Sequence, residues 1–476
     1  VNARQAMLLL AATVLCHVTV AQAFDPLRTQ AAIPATSAGS IVPDPAGCVF
    51  GAPGQPLTLA EAVQRALCSN PRTREAWADA KAQAAGVGAA RAAYLPTLTG
   101  NAQVVRDDSS TDVSGHPQLG SDSRSSVHSE SVSLSWTLYD FGARSAALRN
   151  ANALLAAAQS AQDAAIQALF VTVAKDYSAA QAAQSQLAVA GEVEQMSARS
   201  ALVAQSRVDK GIAPISDALQ AKTAWGQAVL ARNRAEGEWQ TAQGTLAADM
   251  DLSPDLVLDL PAVAEGAHPD ANFAQSVSEL MVEARRTHPE VLSTQAQVDA
   301  AAAKVDQTRA QGLPTLSLVS KYLQNNQPAS LGLGIPTFPA TGHEWYIGVQ
   351  LTIPIFEGFG RLYQVNQGEA QLERQVDALD DARQHVALEV WNSYQAVRTS
   401  TAAVGDSETL LEIAEQSFTA AERRYQAGVG SVLELLNAQS GLANAKHQRV
   451  QALADWHAAR LRLAGSIGKL DVVDLR

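Results

Sequence analysis

The chain has 476 residues, of which 47% are hydrophobic but only 5% aromatic, and its formal net charge is -12. Such a composition suits closely packed helices with small contact residues better than a bulky globular core. The acidic balance, with no clustered basic stripe, excludes a nucleic-acid binder.

The chain opens with Arg4, an apolar run from Ala6 to Val20, and Ala21-Gln22-Ala23. Residues 1–23 therefore read as a secretory signal peptide, too short for a spanning helix. Two cysteines follow it, Cys48 and Cys68. In an exported chain they are expected to form a disulfide, the alternative being two buried thiols. Residues 24–56 are rich in Pro, Gly, Ala and Ser without periodicity and read as an extended arm.

From Leu57 to Tyr94 the pattern is helical, broken at Asn70-Pro71 and stopped by Leu95-Pro96-Thr97-Leu98. The period then changes to two: Ser131 to Leu138 places Val132, Leu134, Trp136 and Leu138 on one face and Ser or Thr on the other. Asp107 to Val127, serine-rich and polar, reads as a loop between two extended segments. Arg144 to Asp209 contains no proline and predicts one helix about 100 Å long. Gly211 turns the chain into a second helix, Ile215 to Asp249, and a crossover, Leu252 to Asn272, follows.

The same order then returns. Pro289 answers Pro71, Leu313-Pro314-Thr315-Leu316 answers Leu95 to Leu98, Phe359-Gly360 answers Phe141-Gly142, and Gly428 answers Gly211, at displacements of 218 or 217 residues. This is a tandem duplication: a first repeat over 57–272, a second over 273–468, and a tail over 469–476. A polar loop, Gln324 to Gly342, precedes the second strand signal, in which Trp345, Ile347, Val349, Leu351, Ile353 and Ile355 alternate with smaller or polar residues. Each repeat carries the tip of an antiparallel helical hairpin that turns on a glycine: Gly428 in Arg424 to Ala438, and Gly211 in a looser copy, Arg207 to Ala221.

Each half supplies two extended segments of the length and alternation of membrane barrel strands, with Val132, Leu134, Trp136, Leu138, Ile347, Val349, Leu351 and Ile353 facing lipid. The alternative is a soluble sheet half-buried on a helix layer. Four strands cannot close a barrel, so subunits must pool them, giving about 8, 12 or 16 strands for a dimer, trimer or tetramer.

The motif Leu57 to Pro71, L-x-L-x-x-A-V-x-x-A-L-x-x-N-P, the Leu-Pro-x-Leu stops, Phe359-Gly360-Arg361 and the R-Y-x-x-G tip at Arg424 to Gly428 together resemble the TolC-like outer-membrane efflux proteins. The resemblance covers residues 57–468. It implies a mainly α fold with a small β membrane part: a homotrimer whose twelve-strand β-barrel in outer-membrane lipid continues as a long periplasmic α-helical barrel. The partners it implies are a periplasmic adaptor (membrane fusion protein) and an inner-membrane pump. The nearest branch is the outer-membrane component of type I secretion. There the pump is an ABC transporter and the cargo a secreted protein, such as a large calcium-binding toxin of the cyclolysin kind.

The resemblance also assigns roles at the tips. Asp217 and Tyr425 match a gate tie between neighbouring hairpins, a phenol donating to a carboxylate. Glu434 and Asn437, three apart on one helix face, match a constriction ring of paired acids, here with one carboxylate replaced by an amide. Gly430 stands where some relatives carry an arginine that strengthens the closed state. Arg207, Gly211, Arg424, Gly428 and Gly430 match tip positions where the adaptor docks.

The sequence contains no P-loop, no G-x-S-x-G and no H-E-x-x-H, and no mature histidines fall at i,i+3 or i,i+4. The expectation is a channel rather than an enzyme, with no metal or cofactor, driven by a partner. Two competing readings stand beside it. One is the outer-membrane duct of a small-molecule efflux pump; the other is a periplasmic structural or adaptor protein built from the same hairpins.

Overall fold

The computed structural model describes residues 25–39, 41–42, 45–53, 56–261, 276–329 and 338–468. The signal peptide, the tail 469–476, and parts of the arm, crossover and second loop lie outside the described residues. Among the described residues eight α-helices and four strands follow in order: α1 (Leu59–Ser69), α2 (Pro71–Ala92), β1 (Thr97–Thr111), β2 (Ser121–Tyr139), α3 (Ala143–Asp209), α4 (Ile215–Asp249), α5 (Val277–Thr287), α6 (Pro289–Ala310), β3 (Thr315–Asn325), β4 (Gly342–Thr352), α7 (Gly360–Gln426) and α8 (Val432–Ile467).

The duplication is visible in helix lengths: 11, 22, 67 and 35 residues in the first half, and 11, 22, 67 and 36 in the second. Local chemistry sets the ends. Thr58 caps α1 by accepting from the Glu61 N–H, and Ser276 with Glu279 makes a full capping box on α5. Asn70 and His288, each preceding a proline, are forced to extended ψ of 134° and 132°, which ends α1 and α5 before α2 and α6 begin.

The chain forms two compact units that cut across the repeats. One comprises residues 81–152 and 303–368 with the start of the arm, and it holds the sheet. Its strand order is β1-β2-β3-β4, antiparallel throughout. β1 pairs only with β2 and β4 only with β3, so among the described residues each has one open edge. At the start of each long helix an acid–arginine pair fixes the turn from strand to helix. Asp140 accepts from the Arg144 side chain at 2.9 Å, and Glu357 from Arg361 at 3.0 Å. Phe141 and Phe359 both take positive φ there (51° and 65°), an uncommon conformation for a residue other than glycine that recurs at the same place in each repeat.

Three strand expectations are corrected. Asp107 to Val127 is mostly strand, because β1 and β2 run on as a two-stranded ribbon, Val104↔His128 to Thr111↔Ser121, beyond the last β2–β3 pair, Ser129↔Asn325. Both faces of that ribbon are wet, so its sequence has no apolar alternation to read. Leu138 falls in a bulge between Thr137 and Tyr139, so Tyr139 rather than Leu138 sits opposite Leu316. Ile353 lies past the end of β4; Pro354 beside it has no N–H to continue the ladder.

The other unit comprises residues 34–80, 153–302 and 369–476. Its two main cores are repeat images. Ala62, Ala66, Leu169, Val173, Leu246 and Met250 are buried in one. Leu280, Ala284, Val386, Val390, Leu463 and Ile467 are buried in the other, 217 or 218 positions later. The first core is larger because the arm adds Ala38 and Val42, the residue after it, Leu57, joins them, and the crossover adds Leu258 and Leu260. Each large apolar side chain so buried contributes about 1.5–3 kcal/mol. The arm is tied by backbone pairing of the Leu57 N–H to Asp259 O at 2.8 Å, by Tyr177 Oη donating to Leu57 O at 2.8 Å, and by a Cys48–Cys68 disulfide. Arg65, 5% exposed, reinforces it: its guanidinium donates to Gly51 O and Ala52 O and pairs with Glu61 at 2.8 Å.

Candidate functional site

Two places in the chain carry chemistry that packing alone does not explain: one face of the sheet, and the paired hairpin tips. On the sheet, the register lines up rows across strands. Trp345 lies beside Tyr322 and Val132; Ile347 beside Ser320, Leu134 and Leu98; Val349 beside Leu318 and Trp136; Leu351 beside Leu316 and Tyr139. Period two puts all of these on one face. The other face is mostly polar, with Thr97, Thr99, Ser131, Ser133, Ser135, Ser317, Lys321 and Gln350, but it also carries Val319, Leu323 and Tyr346.

Every residue of β1 is exposed, as are all residues of β4 except Gly348, so no helix layer covers either strand. Trp345, Ile347, Val349 and Leu351 are 58–69% exposed. A continuous apolar face of that extent needs an apolar neighbour, and a polar reverse face needs a wet one. Among the described residues no helix is long and apolar enough to cross a membrane.

At the tips, each hairpin turns on a glycine with positive φ, Gly211 (71°) and Gly428 (81°). In the second turn Val429 and Gly430 both donate their N–H to Arg424 O at 3.1 Å, which folds the start of α8 tightly against the end of α7. A Cβ at Gly430 would lie 3.0 Å from Tyr425 N and 3.1 Å from the Arg424 carbonyl carbon. Position 430 therefore has no room for a side chain without moving backbone.

Tyr425 is 2% exposed and packs with Ala201, Ala204, Ala221, Val432 and Leu435, joining the two tips. Burial pushes its phenol up from the ordinary value; the Arg207 guanidinium opposes this and the Asp217 carboxylate adds to it. The expected hydrogen bond to Asp217 is not formed: the buried Tyr425 hydroxyl has no hydrogen-bond partner among the described residues. Arg207 takes hold of Tyr425 instead, its guanidinium 4.9 Å from the ring centroid and Nη1 donating to the Tyr425 backbone carbonyl. Arg207, expected on an adaptor-docking surface, is thus engaged inside the chain.

Glu434 has two contacts within its own hairpin. Its N–H donates to the Ser431 hydroxyl at 3.1 Å, the first half of a capping box. Its carboxylate, however, pairs with Arg424 Nε at 3.0 Å, so the charge expected in the ring already has a cation beside it. Asn437 is exposed one turn further on, and it lines an open cavity with Glu434, Ser417 and Ala421. Ile212, Ile215, Val429 and Leu433 surround the turns at 59–69% exposure.

The parts played by Arg207 and Arg424 were not legible from the family pattern. One signal for them was the 217-residue displacement, which carries Arg424 and Glu434 onto Arg207 and Asp217.

Comparison with known proteins agrees with this geometry. The family described as outer membrane efflux protein matches residues 62–250 and 280–469, once per repeat. Protein CyaE of Bordetella pertussis is 34% identical over 417 residues, 87% of this chain and 84% of that protein. The alkaline protease secretion protein AprF of Pseudomonas aeruginosa is 26% identical over 317 residues, 65% of this chain and 63% of that protein. Among solved structures, the outer membrane protein VceC of Vibrio cholerae superposes with a TM-score of 0.74 at 20% identity, covering 86% of this chain and 96% of that one.

Proposed function

Since this chain belongs to the outer membrane efflux protein family, and is an outer-membrane channel of the TolC type with a large periplasmic helical part, we propose that it is the exit channel of a type I secretion system. It passes a protein from an inner-membrane ABC transporter and a periplasmic adaptor to the exterior. The cargo is a large secreted protein, of the calcium-binding cyclolysin kind. The observation that favours protein cargo is the pair of relatives above, one of which is named for protease secretion.

The working unit is a homotrimer. An open sheet edge is not tolerated in lipid, and four strands are too few to close. Pairing the free edge of β4 with that of β1 in the next subunit, three times over, gives a closed barrel of twelve strands. The lipid then lies against the rows of Trp345, Ile347, Val349 and Leu351, and the serine and threonine face lines the lumen. The tips form the inner gate, with Glu434 and Asn437 at its constriction and the exposed apolar residues around the turns available to the adaptor.

The test is deletion of the gene, with the culture supernatant and drug sensitivity assayed together. Loss of one or a few large secreted proteins, restored by complementation, is expected. Unchanged secretion with new drug sensitivity would move the assignment to a small-molecule duct, a reading favoured by a further relative at 27% identity named for pyoverdine export.

A further inference from the structure

The polar face of the sheet is not uniform. On β1 and β2 it carries small hydroxyl and amide groups, Ser131 and Ser133 among them. β3 and β4 set larger groups there: Lys321 lies directly opposite Tyr346, and Glu344 directly opposite Leu323. Among the described residues, Lys321 and Glu344 are the two charged side chains on that face of the four-stranded part. Neither forms an ion pair or a side-chain hydrogen bond there.

Strand direction sets their heights. β3 follows α6 at Thr315 and β4 ends at Thr352 before α7, so Glu344 lies one row further from the helices than Lys321. Two residues of a tilted strand separate those rows by about 5 Å. Trp345 and Tyr322, their chain neighbours, project through the sheet to the apolar face, so both charges stand at the outer end of the apolar rows. Glu130 and His343, either side of Gln324, lie on that opposite face, and Asp107 lies further out on the ribbon.

We infer that in the closed barrel Lys321 and Glu344 form two stacked rings of opposite charge at the outer mouth of the lumen, and that the Lys321 ring binds carboxylate groups of the exported chain as they pass. This rests on the trimeric barrel with its polar face inward. Twelve strands about 4.8 Å apart, tilted by about 40°, enclose a backbone wall about 24 Å across. Long side chains then reach to about 6–8 Å from the axis, within the screening length of about 10 Å at 0.1 M salt and beyond that of about 3 Å at 1 M. Each ring therefore acts on every charge that crosses it, in a lumen otherwise lined by neutral groups. Tyr346 beside Lys321 supports the apolar stem and leaves the ammonium free to face the axis.

The experiment uses the purified mature channel in planar bilayers, with heat-modifiable trimers as the check on folding. Wild type is compared with Lys321→Gln, Glu344→Gln, the double variant Lys321→Gln/Glu344→Gln and the exchange variant Lys321→Glu/Glu344→Lys. At about 0.1 M KCl, Lys321→Gln is expected to raise the K+ to Cl− permeability ratio by about two- to threefold, and Glu344→Gln to lower it by a similar factor. The double variant gives the current–voltage asymmetry of the rest of the tunnel; wild type departs from it in one direction and the exchange variant in the other. At about 1 M KCl those three curves coincide. A short oligoglutamate peptide interrupts the wild-type current for longer than that of Lys321→Gln, while oligolysine shows no such dependence.

If neither single substitution moves the permeability ratio, the two charges cancel as a local pair and the rings do not act. Equal oligoglutamate interruptions in wild type and Lys321→Gln would remove the carboxylate site. The facing of the sheet is read separately. With Cys48 and Cys68 bonded, a membrane-impermeant thiosulfonate should cut the current of Gln350→Cys and leave that of Val349→Cys unchanged. The reverse result would overturn the inward polar face itself.

Discussion

Placing a charge on each face of β4 in turn tests which side meets lipid. Val349 sits in the middle rows of the apolar face, beside Leu318, and is 61% exposed. Gln350, the next residue, points to the opposite face beside Ser317. An arginine facing the hydrocarbon midplane of a barrel costs about 2–4 kcal/mol, while one facing a wet lumen costs little. Per chain, Val349→Arg should therefore lower the yield of inserted protein by about 30-fold or more, and three copies in one barrel compound the loss. Gln350→Arg should insert nearly as wild type.

The assay is the fraction of purified protein that enters phosphatidylcholine–phosphatidylglycerol vesicles as a heat-modifiable, protease-resistant oligomer. Equal insertion of both variants would refute the assignment of the faces. Failure of Gln350→Arg with normal Val349→Arg would invert it.

Three other outcomes follow from particular contacts. Asp249 faces Asp176, and burial, with the hydrogen bond and charge of Asp176, raises its pKa from 3.8 to about 6. Between those values the folded chain holds a proton that the unfolded chain does not, so stability rises as pH falls through 6 and is lost as pH rises. Asp249→Asn should therefore unfold at higher temperature than wild type at pH 7.5, by about 1 kcal/mol after allowance for partial exposure, and converge with it near pH 4; a constant difference across pH would reject the shared proton. Gly430→Ala should press on the Arg424–Tyr425 backbone, cost about 1–3 kcal/mol, and speed tryptic cleavage after Arg423 and Arg424; unchanged protection would show that the turn is slack. Replacing Cys48 and Cys68 by serine opens a link of sequence separation 20, which chain entropy values at about 3 kcal/mol, so hydrogen exchange over residues 45–53 should rise sharply unless Arg65 alone holds the segment.

The helices were legible in the sequence because their ends are local. Pro214 and the Gly211 turn fix the start of α4, which runs Ile215–Asp249 as expected, and Pro71 and Pro289 mark the joins to α2 and α6. The strands were legible only where one face is apolar. Asp107 to Val127 carries serines and charges on both faces, and its pairing is a property of two chain segments together, not of either alone. The sheet's missing cover could not be read from period two, which a soluble sheet shows equally.

At the tips the family pattern pointed to Tyr425, Asp217, Glu434 and Asn437, yet two of these have partners set by nearby arginines. Arg207 chooses the α7 terminus over its own Asp217, and Arg424 chooses Glu434. Such choices depend on how two hairpins pack, which spacing along one chain does not encode.

The trimeric pore is tested most directly by one measurement, the mass and conductance of the protein extracted from outer membranes in mild detergent. It predicts a particle of about three 50.0 kDa chains, less the signal peptide, that resists extraction by salt and inserts into planar bilayers as a conducting pore. A salt-extractable monomer that leaves the bilayer silent would contradict it.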